Sequence, residues 1–437
     1  MFWSIRRPVA LIALITAFAN ATGPLYGLPV LNGPVIGTTQ VPGAKSGPGD
    51  FIHPGLWHTH DDLERMRLGV SNQTEPYYTA FQAFSNDSYS QSSYQIQGPY
   101  SVLCRGQCSN YTSFSNDVRA AYQNAIMWYI TRDDDHWNRS TTILDAWGTS
   151  LSDIHGTDTS LLVGLEGDLF ANAGEIMRWE GNWTESTAAA GGSAGFSNQL
   201  YWLFARQSII VGQANYGMIS IKALLSFAVY LDDISMWNYA INLYQNDLCA
   251  GLYGNLQPGS GQSSETGRDQ GHAQGGLGWA AEASRVMQSQ GFDAYSLGNN
   301  LLLAGGEYAA QYNLGNDVPY DPKFYRCEAI LVNGPWSEPS PISRGVTTTT
   351  PYVYDILYYQ YVVKRGLSAP YITQMKQQLD NLTGGEGHTH ITNSLDDHPG
   401  WGDLIWSYPS SGQYANNNNQ TIWGAAKKVK SRTGLSL

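Results

Sequence analysis

The sequence is poor in charge: of its 437 residues only 14% are Asp, Glu, Lys or Arg, against about 25% in an ordinary soluble domain. Bases number 24 and acids 36, a net charge of −12, and no basic block precedes Lys427, Lys428, Lys430 and Arg432. The electrostatic footprint of a nucleic-acid-binding protein is therefore missing. Cysteine is scarce as well, and four residues in a chain this long cannot be the framework of a small disulfide scaffold. The N-terminal apolar run, Val9 to Ala19, stops short of the roughly 20 residues needed to cross a bilayer. What is abundant is Gly (47), Tyr (28) and Trp (14). A surface so short of ions must be wetted by hydroxyls, amides, aromatics or attached sugar.

Arg6 and Arg7, the apolar run after them and Ala19-Asn20-Ala21 have the pattern of a secretory signal peptide, residues 1–21, and predict an extracellular protein with no membrane attachment after cleavage. Seven Asn-x-Ser/Thr sequons follow, at Asn72, Asn86, Asn110, Asn138, Asn182, Asn381 and Asn419, and predict glycosylated surface loops. In that oxidising setting Cys104 and Cys108 close a short loop, leaving Cys249 with Cys327. The rival reading of Cys104-x3-Cys108 as a zinc half-site lacks a second Cys/His pair at finger spacing.

Residues 22–50, rich in Gly and Pro, predict an extended lead-in. From Phe51 onward helical spacing dominates. Acids precede bases in Asp61–Arg67, and Val118, Ala121, Ala125, Ile126 and Tyr129 fall on one stripe. Similar patterns run over 137–149, 160–179, 196–209, 215–231, 235–247, 272–290, 299–313, 351–365 and 370–381. Alternating runs are scarce, and no motif recurs at a solenoid period. The expectation is an all-α fold, an (α/α) toroid or incomplete toroid of antiparallel hairpins over 51–410, with a tail at 411–437.

The segment Ser264–Gly278 places two acids, a base, an imidazole and two amides at the mouth of an otherwise apolar helix, where burial without partners is costly. Glu265, Arg268 and His272 recur at +3 and +4 and share a face if the helix has begun. The plainer alternative is a capping cluster in which Glu265 pairs with Arg268. A second polar insertion, Gln213–Gly217, sets Asn215 at a helix start, either as a cap or as a donor to a ligand carboxylate. His388, His390 and His398 with Asp396 and Asp397 are a conceivable metal set, although hydrogen bonding within a Gly-rich loop is the preferred explanation.

Phe51-Ile-His-Pro-Gly-Leu56, Glu265-Thr-Gly-Arg-Asp-Gln-Gly-His272, Glu307-Tyr-x3-Tyr312-Asn-Leu-Gly315, Tyr358-x2-Tyr361 and Asp397-His-Pro-Gly-Trp-Gly402 occur in an order that resembles the alginate-lyase-type family of polysaccharide lyases. The resemblance implies a toroid that depolymerises an anionic uronic-acid polymer, alginate or glucuronan in type, by β-elimination, as a monomer without a cofactor. That reaction needs groups to neutralise the substrate carboxylate, a base for the C5 proton and an acid for the departing O4. Asn215 and Glu265 are the candidate neutralisers, Arg268 and Arg344 the charge partners, His272 the base or neutraliser, and Tyr312 or Tyr352 the proton carrier. Tyr216 stands where the family often has His, and is a substitute carrier. Tyr216 and Gln270 are expected to touch the sugar, and Trp57, Trp202 and Trp279 to stack on it. Two alternatives remain: a glycoside hydrolase using two of Glu265, Asp269 and Glu307, and an inactive carbohydrate-binding protein.

Overall fold

The computed structural model describes residues 45–46, 51–108, 110–185, 195–209, 212–383 and 398–408. The signal-peptide reading, most of the lead-in, the 411–437 tail, Asn419, His388, His390, Asp396 and Asp397 lie outside them.

Helices form where the spacing places them, and their starts are chemically marked. In α1 (His60–Ser71) the Thr59 hydroxyl accepts from Asp62 N while Asp62 accepts from Thr59 N, a reciprocal capping box. After α2 (Tyr77–Asn86) and α3 (Tyr111–Thr131), Asp133 caps α4 (Asp134–Ser150) through Asp135 N. Helix α5 runs from Thr159–Leu162 through a π-helical stretch at Val163–Gly167 into Asp168–Trp179. Helix α6 has the same build, with Phe196–Gln199, a π stretch at Leu200–Ala205 and Arg206–Ser208. Next come α7 (Ala214–Tyr230) and α8 (Ile234–Asn246), the latter capped by Asp233. They are followed by α9 (Gln270–Ser289), α10 (Leu297–Asn313), α11 (Tyr354–Leu357 with a π stretch at Tyr358–Lys364) and α12 (Pro370–Thr383). Helix α2 had no clear sequence signal. Strands are confined to two short pairs, Lys45–Ser46 antiparallel to Ile52–His53 and Val102–Cys104 parallel to Asp153–His155.

Helices α3, α5, α7 and α9 pack in succession as the inner wall, and α4, α6, α8 and α10 lie outside them. Burial follows from this layering. In α7 every residue except Tyr216 is buried, whereas α8 buries one stripe, including Met236, Trp237, Ala240, Ile241 and Tyr244. The ring is closed by its chain ends. Gln290 Nε2, just past α9, donates to the carbonyls of Ile52 and Gly55 at 2.9 and 2.8 Å. Arg285 pairs with Asp62 and donates to Trp57 O. Arg65 and Tyr77 both donate to Ser407 O, tying residues 398–408 to the first hairpin. The product is the expected all-α (α/α) toroid. Residues 401–408 belong to its wall, with Trp401, Leu404, Ile405 and Trp406 buried.

Three buried ionic groups brace the ring. His53 lies 2.6 Å from Glu175 and 3.3 Å from Asp232 and stacks on Trp179. Lys222 of α7 bridges Asp168 of α5 and Glu282 of α9 at 3.1 and 2.8 Å. Lys376 of α12 stands among Asp355, Asp380 and Asp403, so an ammonium already occupies that acidic cluster. The cysteines pair as expected, Cys104 with Cys108 and Cys249 with Cys327, with Cα atoms 5.4 and 5.5 Å apart. Among the described residues no helix is long and apolar enough to cross a membrane. Of the six described sequons, Asn72, Asn86, Asn138, Asn182 and Asn381 are exposed. Asn110 is half-buried, with its amide clasped between Val102 O and Cys104 N.

Candidate active site

The start of α7 is strained. Ala214 has φ +48°, a left-handed conformation costing an L-residue about 1 kcal/mol, and its N–H is held by Cys249 O at 2.7 Å. Strain of this kind gathers at functional sites. Here it aims the next residue. The backbone N–H and Nδ2 of Asn215 both donate to Glu265 Oε2, at 3.1 and 2.5 Å. The other oxygen of Glu265 receives Arg268 NH1 at 2.9 Å and Arg326 NH1 at 3.1 Å. One buried carboxylate thus gathers an amide and two guanidinium groups. Arg326 is fixed in turn by the Cys249–Cys327 bond beside it and by its N–H donating to Ser264 O.

Helix α9 begins only at Gln270, so Glu265 and Arg268 occupy the turn ahead of it and not a shared helical face. Asp269 is the cap, accepting from His272 N at 2.9 Å and facing His272 Nδ1 at 2.6 Å. Arg268 Nε lies 3.6 Å from the same carboxylate. Burial alone would raise the Asp269 pKa, but the bonds from His272 outweigh it and hold the carboxyl below its ordinary value. The His272 side chain is 41% exposed. Because Nδ1 is committed to Asp269, Nε2 is the nitrogen left for substrate. Tyr216 shows its hydroxyl 3.5 Å from Asp158. Burial first, and Asp158 next, raise its pKa against the pull of Arg105 and Arg268, so near neutral pH this phenol is a proton donor rather than a base.

Alongside these groups the inner wall recedes. A narrow recess is lined by Trp57, Arg119, Tyr122, Glu166, Lys222, His398 and Pro399, among others. The π stretch of α5 contributes Glu166 to it. Burial pushes the carboxyl of Asp168, beneath Lys222, up to about 6 in spite of that ammonium.

Several sequence expectations are corrected. Gln270 is buried, and its amide serves the carbonyls of Thr266 and Ser340 and the side chain of Asn313. It is a loop clamp, closed to a sugar. Tyr312 is buried with its hydroxyl on Pro339 O, and Arg344 lies over its ring at 3.9 Å while donating to Tyr312 O and Asn316 O. That pair fastens a loop to the end of α10 and does not join the Glu265 cluster. Trp279 is buried against His398. Trp57 is buried too, though it lines the recess. Only Trp202, 63% exposed on α6, presents a surface ring. Tyr352 is half-buried in the turn before α11. In the conceivable metal set, His398 is buried and engaged with Glu282 at 2.6 Å. Residues the sequence did not single out are Arg326, Asp158, Arg105, and Tyr320 and Trp336, which lie against Gly267. Arg326 beside Cys327 was the one discoverable signal, since the disulfide partner of Cys249 must approach the start of α7.

No family model and no curated protein matches the sequence. Solved structures do match in shape. Alginate lyase A1-III from Sphingomonas species A1 superposes with a TM-score of 0.52 at 12% identity, over 80% of this chain and 95% of that one. The chain has the alginate-lyase fold. A variant of the same enzyme complexed with tetrasaccharide matches at 0.52 and 14% identity, over 80% and 94% of the two chains. An alginate lyase from Bacteroides ovatus gives 0.48 at 9%, over 82% and 100%. At such identities the two matches at 0.52 establish the alginate-lyase fold and not the chemistry performed on it.

Proposed function

We propose that this chain is a secreted polysaccharide lyase cleaving a 1,4-linked uronic-acid polymer of alginate or glucuronan type by β-elimination. The observation that carries the reading is the convergence of Asn215, Arg268 and Arg326 on the Glu265 carboxylate. Elimination requires a uronate carboxylate to be neutralised before its C5 proton becomes acidic, and preorganised donors supply that. Arg268 is shared between Glu265 and Asp269, and Arg326 faces Glu265; a substrate carboxylate arriving beside them takes up the remaining N–H donors of the two guanidinium groups. His272, aligned by Asp269, takes the C5 proton through Nε2, and the Tyr216 hydroxyl protonates the departing O4. The C5–H and C4–O4 bonds break and a C4–C5 double bond forms, so one proton is removed and one is returned.

The hydrolase alternative fits less well. Glu307 accepts from the backbone N–H groups of Tyr371 and Ile372 at the start of α12, Glu265 is held by two guanidinium groups, and Asp269 caps α9. No two of these form an unencumbered acid/base pair. Fold likeness to alginate lyases, one of them complexed with tetrasaccharide, supports a polysaccharide as substrate, and the signal-peptide pattern supports secretion. Incubation with polymannuronate, polyguluronate and polyglucuronate tests the reading. A conjugated product absorbing in the near ultraviolet supports it. New reducing ends without that absorbance convert it to a hydrolase, and binding without either leaves a lectin-like role.

A further inference from the structure

Beside the Glu265 cluster, α9 carries two adjacent glycines, each with room for no more than a methyl. One at Gly276 would come 3.8 Å from Asn215 Cβ, and one at Gly275 would come 3.9 Å from His398 Nε2. The two glycines thus lie against the carboxylate-neutralising amide and against a second imidazole that the mechanism above does not use. His398 is 3% exposed and lines the recess. Its Nδ1 faces Glu282 Oε1 at 2.6 Å, and Glu282 is anchored by Lys222 at 2.8 Å. Among the described residues its Nε2 has no hydrogen-bond partner, and neither has Trp57 Nε1, on another residue of the same lining. A buried imidazole with one nitrogen fixed and the other unbonded is an expensive feature unless something binds there.

We propose that this glycine-lined recess is a sugar subsite in which His398 Nε2 hydrogen-bonds a neutral hydroxyl of the polymer. The inference rests on the polyuronate reading and adds the rule by which the site sorts the edges of the ring. With Nδ1 committed to Glu282, Nε2 is the ring nitrogen left to hydrogen-bond a hydroxyl, which can both donate and accept. The charged groups that line the recess, Arg119, Lys222 and Glu166, are of both signs, so the contact is with a hydroxyl edge while Arg268 and Arg326 take the carboxylate edge.

Gly275→Ala tests this without unpairing a buried ion. The new methyl sits at ordinary contact distance from Trp279 and His398, and Gly to Ala within a helix is favourable for folding. It nonetheless caps Nε2. Turnover on the three polyuronates and calorimetric titration with their tetrasaccharides are measured for the wild type, Gly275→Ala and His398→Gln. The expected result is a roughly tenfold rise in KM and Kd for Gly275→Ala, as for a lost hydrogen bond, with an unchanged or higher Tm. His398→Gln, which keeps a polar side-chain tip near that position, is expected to show a smaller rise in KM and Kd than Gly275→Ala. Wild-type KM and Kd in Gly275→Ala would overturn the subsite while leaving the lyase intact. A wild type that binds tetrasaccharide without elimination refutes the lyase chemistry, and the subsite is then judged on Kd alone. A wild type that neither binds nor turns over refutes both.

Discussion

Replacing His53 with Gln is expected to destabilise the protein by about 3 kcal/mol more at pH 6 than above pH 9. Burial by itself disfavours the imidazolium, but Glu175 at 2.6 Å and Asp232 at 3.3 Å outweigh it and raise the pKa from 6.5 to about 9. At 1.36 kcal/mol per tenfold change in proton affinity, that rise corresponds to about 3 kcal/mol. The folded state binds this proton more tightly than the unfolded chain does. The stabilisation is therefore complete below pH 6.5, declines through 6.5 to 9 and is gone above the folded pKa. Asp168, at about 6, and Asp355, pushed up to about 7 by burial, release their contributions as the pH rises between roughly 4 and 7, and His58, pushed down to about 3 by burial, acts only below 6.5; wild type and variant share these groups, so they cancel in the comparison. Urea unfolding of the wild type and His53→Gln at intervals from pH 6 to 9.5 isolates the effect as the gap between the two. A gap that stays constant, or widens with pH, would refute the assignment.

Lys222→Met strands Asp168 and Glu282 in the inner wall, and urea unfolding should show a loss of about 3–5 kcal/mol, as for other half-broken buried pairs. Tyr216→Phe should lower kcat by about 10²-fold or more with little change in KM, because the phenol acts only as O4 departs; a change confined to KM would reassign it to binding. After expression in a glycosylating host, mass spectrometry should find glycans at Asn72, Asn86, Asn138, Asn182 and Asn381 but none at Asn110, whose amide already bridges Val102 and Cys104.

Helix periods and capping residues are local properties, so α1, α3 and the long inner helices could be read directly from the sequence. The π stretches in α5, α6 and α11 could not, because a local widening of the helix is set by its neighbours in the ring. The site divides in the same way. Glu265, Arg268, Asp269 and His272 stand within eight residues of one another, and their polarity against an apolar background marked them. The partners that give Glu265 its meaning come from Asn215, 50 residues before it, and Arg326, 61 residues after it. Glu282 and His398 are 116 residues apart. Such pairings follow from how the hairpins close and have no local signature. Tyr312 and Gln270 failed as site residues for the complementary reason: their polar atoms were claimed by backbone carbonyls of a loop, residues 339–342, whose path spacing does not reveal.

The most direct test of the account is the near-ultraviolet rate of elimination in Arg268→Ala and Arg326→Ala, each compared with the wild type on the polyuronate it prefers. If these guanidinium groups neutralise the substrate carboxylate, each variant should lose about 10²-fold or more in kcat/KM while unfolding at nearly the wild-type urea concentration. Wild-type elimination in both folded variants would contradict the claim that this cluster is the catalytic centre.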